Sequence, residues 1–95
     1  MEPLSEQKIR QELDSNLRGW ESKDNKIHRS YSFDDFRQAL GFIVQIGFMA
    51  EEQMHHPEIF NVYNSVKVSL TTHDAGDKVT EKDIKLAQAI EKLYK

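Results

Sequence analysis

The chain has 95 residues, of which 38% are apolar and 31% charged, and a formal net charge of −3 at pH 7. This length and composition predict one globular domain spanning residues 1–95 and exclude a disordered chain. The acidic balance and the lack of a long basic run argue against direct nucleic-acid binding. The absence of cysteine excludes disulfides and thiolate chemistry.

The hydropathy pattern bears on location. No stretch reaches the ~18 apolar residues of a membrane span. The first residues also lack the basic flank and apolar run of a signal peptide. We therefore expect a cytoplasmic protein that makes no membrane contact.

The first half of the chain predicts a helix and a hairpin. Ser5 is expected to cap a short helix with one narrow apolar stripe. Short runs on either side of Asp24 and Asn25 predict a hairpin, because both residues tolerate a positive φ angle. Trp20, at the start of this hairpin, is interpreted as a core aromatic residue.

The longest predicted helix follows. Ser32 is expected to cap it, with two aspartates in the first turn, where carboxylates favour the positive end of the helix dipole. Pro57 is expected to stop it, because the residue before a proline is pushed toward extended geometry. His55 would then lie at the helix end, and His56 would lie beyond it.

This helix carries two apolar rows, which together exceed what one sheet requires. The first row contains Phe36, Leu40, Ile43, Gly47, Ala50 and Met54, and the second contains Phe42, Ile46 and Met49. The surplus predicts either contact with a partner subunit or a deeply buried central helix. Both alternatives stay open at this point.

The second half predicts another hairpin and a closing helix. The strands Ile59–Tyr63 and Val66–Thr72 are expected to join at Asn64-Ser65. Thr80 and Asp83 form a capping-box pattern ahead of an amphipathic helix. The order α-β-β-α-β-β-α predicts an α+β fold, in which a four-stranded antiparallel sheet is covered on one face by three helices.

Three of the four histidines lie between residues 51 and 73. Glu51 and His55 are four apart on the predicted helix, so the carboxylate can orient the imidazole for proton transfer near neutral pH. A zinc site is one alternative for three histidines and a carboxylate, although no HExxH spacing is present. A binding module that uses strand edges and the apolar helix is another. His28 has no neighbouring companions and is interpreted as structural.

The spacing of several residues resembles the signature of the pterin-4a-carbinolamine dehydratases. These residues are Glu51, His55, His56, Pro57, Tyr63, His73 and Asp83. The segment HHPEIFNVYNSVKVSLTTH is also similar to that family's central segment, and the predicted order of elements matches its fold over essentially the whole chain. The resemblance implies a hydro-lyase, 4a-hydroxytetrahydrobiopterin dehydratase. Such an enzyme converts the 4a-carbinolamine to quinonoid dihydropterin in tetrahydrobiopterin recycling, without cofactor or metal.

The same resemblance assigns roles to individual residues. His55, oriented by Glu51, and His73 are expected to be the acid and base groups, and His56 is expected mainly to hold the pterin. The implied walls of the pterin pocket are His55, His56, Pro57, Thr72, His73, Asp74 and Ala75. Asp83 matches the signature, but its place in the capping box gives it a structural reason as well. Both roles of Asp83 stay open.

Two further implications concern partners. Members of the family are homo-oligomers, so we expect a dimer or a tetramer built through edge strands and long helices. Some animal members also act as dimerisation cofactors of a homeodomain transcription factor, and this role is the alternative function. Tyr63 is interpreted as a packing residue. Met54 departs from the Asp or Asn that many members carry before the two histidines.

Overall fold

The computed structural model describes residues 1–94, which contain three α-helices and four β-strands in the predicted order. The elements are α1 (Glu6–Asn16), β1 (Glu21–Lys23), β2 (Lys26–Ser32), α2 (Phe36–Gln53), β3 (Glu58–Val62), β4 (Ser65–Leu70) and α3 (Glu81–Leu93). A short 3₁₀ turn, His73–Ala75, precedes α3. The strands form one antiparallel sheet in the order β1-β2-β4-β3. The predicted α+β fold is confirmed.

The helices cover one face of this sheet. Alternate residues of β4 point toward them, so Val66, Val68 and Leu70 are fully buried while Lys67 is exposed. The apolar side of α3 packs on the same core through Ile84 and other residues. Burial of these side chains supplies the main driving force for the fold. The opposite face of the sheet is left open.

Both the first helix and the first hairpin agree with the predictions. The side chain of Ser5 accepts a hydrogen bond from the backbone N–H of Lys8 and caps α1. Asp24 and Asn25 both have positive φ angles, and they connect paired Lys23 and Lys26 in a two-residue turn. Trp20 lies in the core, as predicted.

The predicted start of the second helix is wrong. Ser32 continues β2, where it pairs with Ser65 of β4. The cap of α2 is Asp35, whose carboxylate accepts a hydrogen bond of 2.9 Å from the backbone N–H of Gln38. Because the strand runs on to Ser32, the helix can begin only after the chain has left the sheet.

The second hairpin turns one residue earlier than predicted. Val62 pairs with Ser65, so the turn residues are Tyr63 and Asn64, and Tyr63 has a positive φ angle. The side-chain amide of Asn61 donates hydrogen bonds to the carbonyl oxygens of Tyr63 and Ser65 and spans this turn. The prediction placed the turn at Asn64-Ser65, because turn propensity does not register this side-chain bridge.

The two apolar rows of α2 have different environments. Phe42 and Ile46 of the second row are buried. Four residues at a spacing of four form an exposed row, which we call the α2 stripe: Phe36, Leu40, Val44 and Phe48, between 43% and 72% exposed. The apolar surplus therefore lies in a row that includes Phe36 and Leu40 of the first predicted row and adds Val44 and Phe48. A deeply buried central helix is excluded for the single chain.

A partly buried polar cluster connects the C-terminal half of α3 to the sheet. Glu91 of α3 accepts hydrogen bonds from the Trp20 indole at 2.9 Å and the Tyr31 hydroxyl at 2.8 Å. Arg29 Nε lies 3.4 Å from the same carboxylate. Burial, together with the negative Glu91, raises the pKa of the Tyr31 phenol well above its usual range. This cluster therefore keeps its protons at neutral pH.

Across residues 1–94, none of the helices combines the length and apolar character that a membrane crossing would require.

Candidate active site

The end of α2 sets the directions of the two adjacent histidines. The helix ends at Gln53, and Met54 adopts a left-handed conformation with φ of 54°. The backbone N–H groups of Met54 and His55 still bond to carbonyl oxygens of the last turn. The prediction that His55 belongs to the helix and that Pro57 stops it is therefore wrong, because the chain turns at Met54, three residues before the proline.

This turn carries the His55 ring into the protein, toward α3. Its Nε2 atom lies 2.5 Å from Asp83 Oδ1, although the two residues are 28 positions apart in sequence. Asp83 is completely buried and His55 almost so. A hydrogen bond this short fixes the ring orientation, and with Nε2–H donated to the carboxylate the remaining nitrogen, Nδ1, is the one left to meet a ligand.

Two more hydrogen bonds hold the Asp83 carboxylate. Its Oδ2 atom accepts from the hydroxyl of Thr72 and from the backbone N–H of Thr80, both at 2.8 Å. The hydroxyls of Thr72 and Thr80 lie 2.6 Å apart. Asp83 completes the capping box of α3, as predicted. The same carboxylate therefore caps the helix with one oxygen and orients an imidazole with the other.

Glu51 contacts the other histidine of the pair. Its carboxylate lies 3.0 Å from His56 Nε2, and both side chains are largely exposed. The prediction that Glu51 orients His55 is wrong, because the turn at Met54 takes His55 away from the helix surface and brings His56 over it. Asp83 holds the position beside His55 that the sequence analysis gave to Glu51.

His73 begins the 3₁₀ turn after β4 and is almost fully exposed. Its Nδ1 atom lies 2.8 Å from the carboxylate of Asp77. This hydrogen bond and the negative charge of Asp77, with a smaller effect from Asp74, raise the pKa of the His73 imidazole. The protonated ring is therefore favoured at His73.

One cavity of about 220 Å³ brings the three histidines together. Its walls are Met54, His55, His56, Thr71, Thr72, His73, Asp74 and Lys82. Five of the seven predicted wall residues are among them, while Pro57 and Ala75 lie outside the lining. Thr71 and Lys82 were missed. Lys82 precedes Asp83 on the first turn of α3, and only the docking of that helix places it here.

Two further observations concern the remaining histidine and possible metal ligands. His28 lies on the open face of the sheet, where Nδ1 is 2.7 Å from the Ser69 hydroxyl and Nε2 is 3.1 Å from the Lys23 carbonyl oxygen. It does not line the cavity. Among residues 1–94, no three or more His, Cys, Asp or Glu side chains are grouped to hold a metal ion.

Taken together, the cavity presents two differently prepared imidazoles. His55 is buried and held by a carboxylate through one nitrogen, and His73 is exposed with its protonated form favoured. A pair of this kind can donate a proton to one atom of a bound molecule and remove a proton from another.

Comparison with known proteins gives a consistent result. Residues 2–93 match the family model described as pterin 4 alpha carbinolamine dehydratase. A relative from Christiangramia forsetii is 46% identical over 93 residues, which are 98% of this chain and 94% of the relative. A relative from Sulfurisphaera tokodaii is 41% identical over 98% of both chains. Both carry a provisional name as pterin-4-alpha-carbinolamine dehydratases.

Two solved structures share the fold. The crystal structure described as a transcriptional coactivator/pterin dehydratase from Brucella melitensis superposes with a TM-score of 0.91 at 40% identity, over 98% of this chain and 99% of that one. A pterin dehydratase-like protein described as a RuBisCO assembly factor in the alpha-carboxysome gives a TM-score of 0.64 at 19% identity, over 78% of this chain and 84% of that one. At that identity the second likeness concerns the fold alone.

Proposed function

The chain belongs to the pterin-4a-carbinolamine dehydratase family, and from that premise we propose that it dehydrates 4a-hydroxytetrahydropterins by acid–base catalysis with His55 and His73. The observation that carries the proposal is the cavity shared by His55, His56 and His73. The product is the quinonoid dihydropterin, and the cellular role is tetrahydrobiopterin recycling. Family membership supports dehydration in general, and the histidine chemistry is our assignment.

The reaction requires two proton movements. The hydroxyl group on ring carbon C4a must gain a proton to leave as water, and ring nitrogen N5 must lose one to give the quinonoid product. We assign proton donation to His73, because Asp77 raises its pKa and favours the imidazolium. We assign proton removal to His55 Nδ1, because Asp83 holds the opposite nitrogen.

The other wall residues position the ring. His56, which contacts Glu51, is assigned to holding the pterin, together with Thr72 and Asp74 of the cavity wall. Asp83 is a positioning residue, since it contacts His55 and does not itself line the cavity. Pro57 and Ala75 lie outside the lining and are given no role in binding.

The test is a dehydration assay on the purified protein with a synthetic 4a-carbinolamine. His55→Ala and His73→Ala are each expected to lower kcat by ~10²-fold or more, since general acid–base groups contribute factors of this size. His28→Ala is the matched control, because His28 lies on the open face, and kcat should stay within about twofold. Wild-type rates in a folded double variant of His55 and His73 would rule out the proposal.

The assay also tests the predicted independence of metals and cofactors. Treatment with a chelator should change neither the rate nor the thermal midpoint of unfolding. Loss of both on chelation would instead support the zinc alternative.

We further propose that the protein is a homo-oligomer that buries the α2 stripe. Four large apolar side chains in one exposed row favour an apolar contact over water. Light scattering should give the mass of a dimer or tetramer, and Val44→Glu should lower it while keeping the fold. A monomeric wild-type protein at micromolar concentration would contradict this proposal.

The α2 stripe also supports the second candidate function, a cofactor for the dimerisation of a transcription factor. The Brucella melitensis relative is described as both a transcriptional coactivator and a pterin dehydratase. An apolar helix face of this kind fits a helical partner. The α2 stripe could also be buried at all times between subunits of the protein itself. If such a protein has full dehydratase activity, the role as a dimerisation cofactor is excluded and the enzymatic function remains.

A further inference from the structure

Lys82 is the one cationic wall residue without a carboxylate of its own. Each histidine of the cavity has one: His55 lies against Asp83, His56 against Glu51 and His73 against Asp77. For Lys82, no carboxylate oxygen of residues 1–94 lies within 4.0 Å of the ammonium group. The wall therefore carries a positive charge that the described part of the protein does not neutralise by direct contact.

Helix stability does not account for a lysine at this position. Lys82 is the second residue of α3, near the positive end of the helix dipole, where a cation is unfavourable. Its backbone N–H bonds to the Thr80 hydroxyl, which any residue with an N–H could do. Its side chain forms no hydrogen bond within residues 1–94. A lysine that lies beside a cavity, at a position where the helix dipole disfavours a positive charge, indicates that the charge serves to bind a ligand.

The size of the cavity indicates which part of a ligand Lys82 meets. A volume of about 220 Å³ is below the ~300–1,000 Å³ of pockets that enclose a whole drug-sized molecule. It suits a bicyclic ring, whose substituent must then extend past the wall. Lys82 is partly exposed, whereas His55 and Thr72 are buried. The ammonium is therefore accessible from the rim of the cavity, where a substituent of the ring would leave it.

Within residues 1–94, the lining contains one carboxylate, that of Asp74. It makes no ion pair with Lys82, and its negative charge helps to raise the pKa of the His73 imidazole. We propose that Lys82 binds a phosphate group on the side chain of a pterin, so that the cavity holds phosphorylated pterins more tightly than the neutral pterins of the recycling reaction. The inference rests on the proposed function, because it takes the ring to be a pterin.

The test measures binding of two fluorescent pterins that differ only in the phosphate, neopterin and neopterin monophosphate. At low ionic strength the wild-type protein should bind the monophosphate about fivefold more tightly, the ratio expected for one partly exposed ion pair. Lys82→Gln should abolish this preference, and Lys82→Arg should retain it. Lys85→Gln, one turn further along the exposed side of α3, is the matched control and should keep the wild-type ratio.

Equal binding of the two pterins by the wild-type protein would overturn the inference, as would an undiminished preference in Lys82→Gln. Inorganic phosphate alone at the same concentration should not displace neopterin, since the ring supplies most of the binding. Dehydration of a neutral carbinolamine is measured in parallel. Its absence would refute the proposed function, whereas its presence with equal pterin binding would refute only the role of Lys82.

Discussion

Helix α3 carries two carboxylates about two turns apart that organise opposite ends of the molecule. Glu91 accepts hydrogen bonds from Trp20 and Tyr31 and lies near Arg29. Asp83 accepts hydrogen bonds from Thr72 and the backbone of Thr80 and lies against His55. Both clusters tie the last helix to distant parts of the chain, and the acceptor chemistry is the same.

The donors make the difference. An indole never releases its proton, a guanidinium keeps its charge, and the pKa of the Tyr31 phenol is raised. The two donors to Glu91 and the neighbouring Arg29 guanidinium therefore keep their protons at neutral pH, and that cluster can only stabilise the fold. At Asp83 the donor is an imidazole, whose second nitrogen can accept or donate a proton, and this imidazole lines a cavity. A buried carboxylate becomes part of a reactive site through the group it holds.

The sharpest way to break this comparison is to neutralise each carboxylate and measure the rate. Asp83→Asn should lower kcat by ~10²-fold, because an amide no longer fixes the protonated nitrogen of His55. Glu91→Gln should leave kcat within about twofold, since its cluster does not reach the cavity. Steady-state kinetics, with near-ultraviolet circular dichroism to verify folding, make the measurement. Equal kcat values for Asp83→Asn and Glu91→Gln would show that the two carboxylates do not differ in their contribution to catalysis.

The second prediction concerns stability at the Glu91 end. Glu91→Ala leaves the Trp20 and Tyr31 donors without an acceptor, so the free energy of unfolding should fall by about 2 kcal/mol. Urea denaturation at an unchanged slope measures this. Glu52→Ala, an exposed substitution on α2, is the control and should stay within about 0.5 kcal/mol of the wild type. A loss no larger than the control would mean that the cluster adds nothing.

The smallest expected effect is a shift in the pH dependence of kcat. Asp77 raises the pKa of His73, so the imidazolium persists to higher pH and is lost as the pH rises through that raised value. Asp77→Asn should lower the pKa, and the high-pH fall of kcat should move to lower pH. Proton NMR of the His73 ring and a pH–rate profile measure it. Asp74→Asn should shift the profile less, and an unmoved profile in Asp77→Asn would refute the acid role of His73.

Much of the fold could be predicted from local patterns. The presence of β4, the Asp24-Asn25 turn and the Thr80–Asp83 capping box each depend on residues close in sequence, and each was confirmed. Errors arose where a distant contact overrides local preference. Ser32 has the composition of a helix cap, but its pairing with Ser65 extends the strand. The second turn differs from the prediction beside a local contact instead, the hydrogen bonds from the Asn61 amide to the Tyr63 and Ser65 carbonyl oxygens.

The candidate site was predictable in its members and not in its pairings. Histidines, Thr72 and Asp74 were all named from the sequence and do line one cavity. The partner of each histidine was not predictable, because Met54 adopts a left-handed conformation. Glycine or asparagine usually occupies such a position, so a methionine gives no signal of the turn in the sequence. That single turn exchanges the environments of His55 and His56. Asp83 then reaches His55 only through the packing of α3.

The two contacts of the Asp83 carboxylate affect the order in which activity and fold are lost on heating. Its Oδ2 atom caps the first turn of α3, and its Oδ1 atom holds His55. Fraying of that one turn therefore releases the imidazole while the sheet and the Glu91 end remain intact. Loss of activity should precede global melting, with early amide hydrogen exchange confined to the start of α3 acting as its signature.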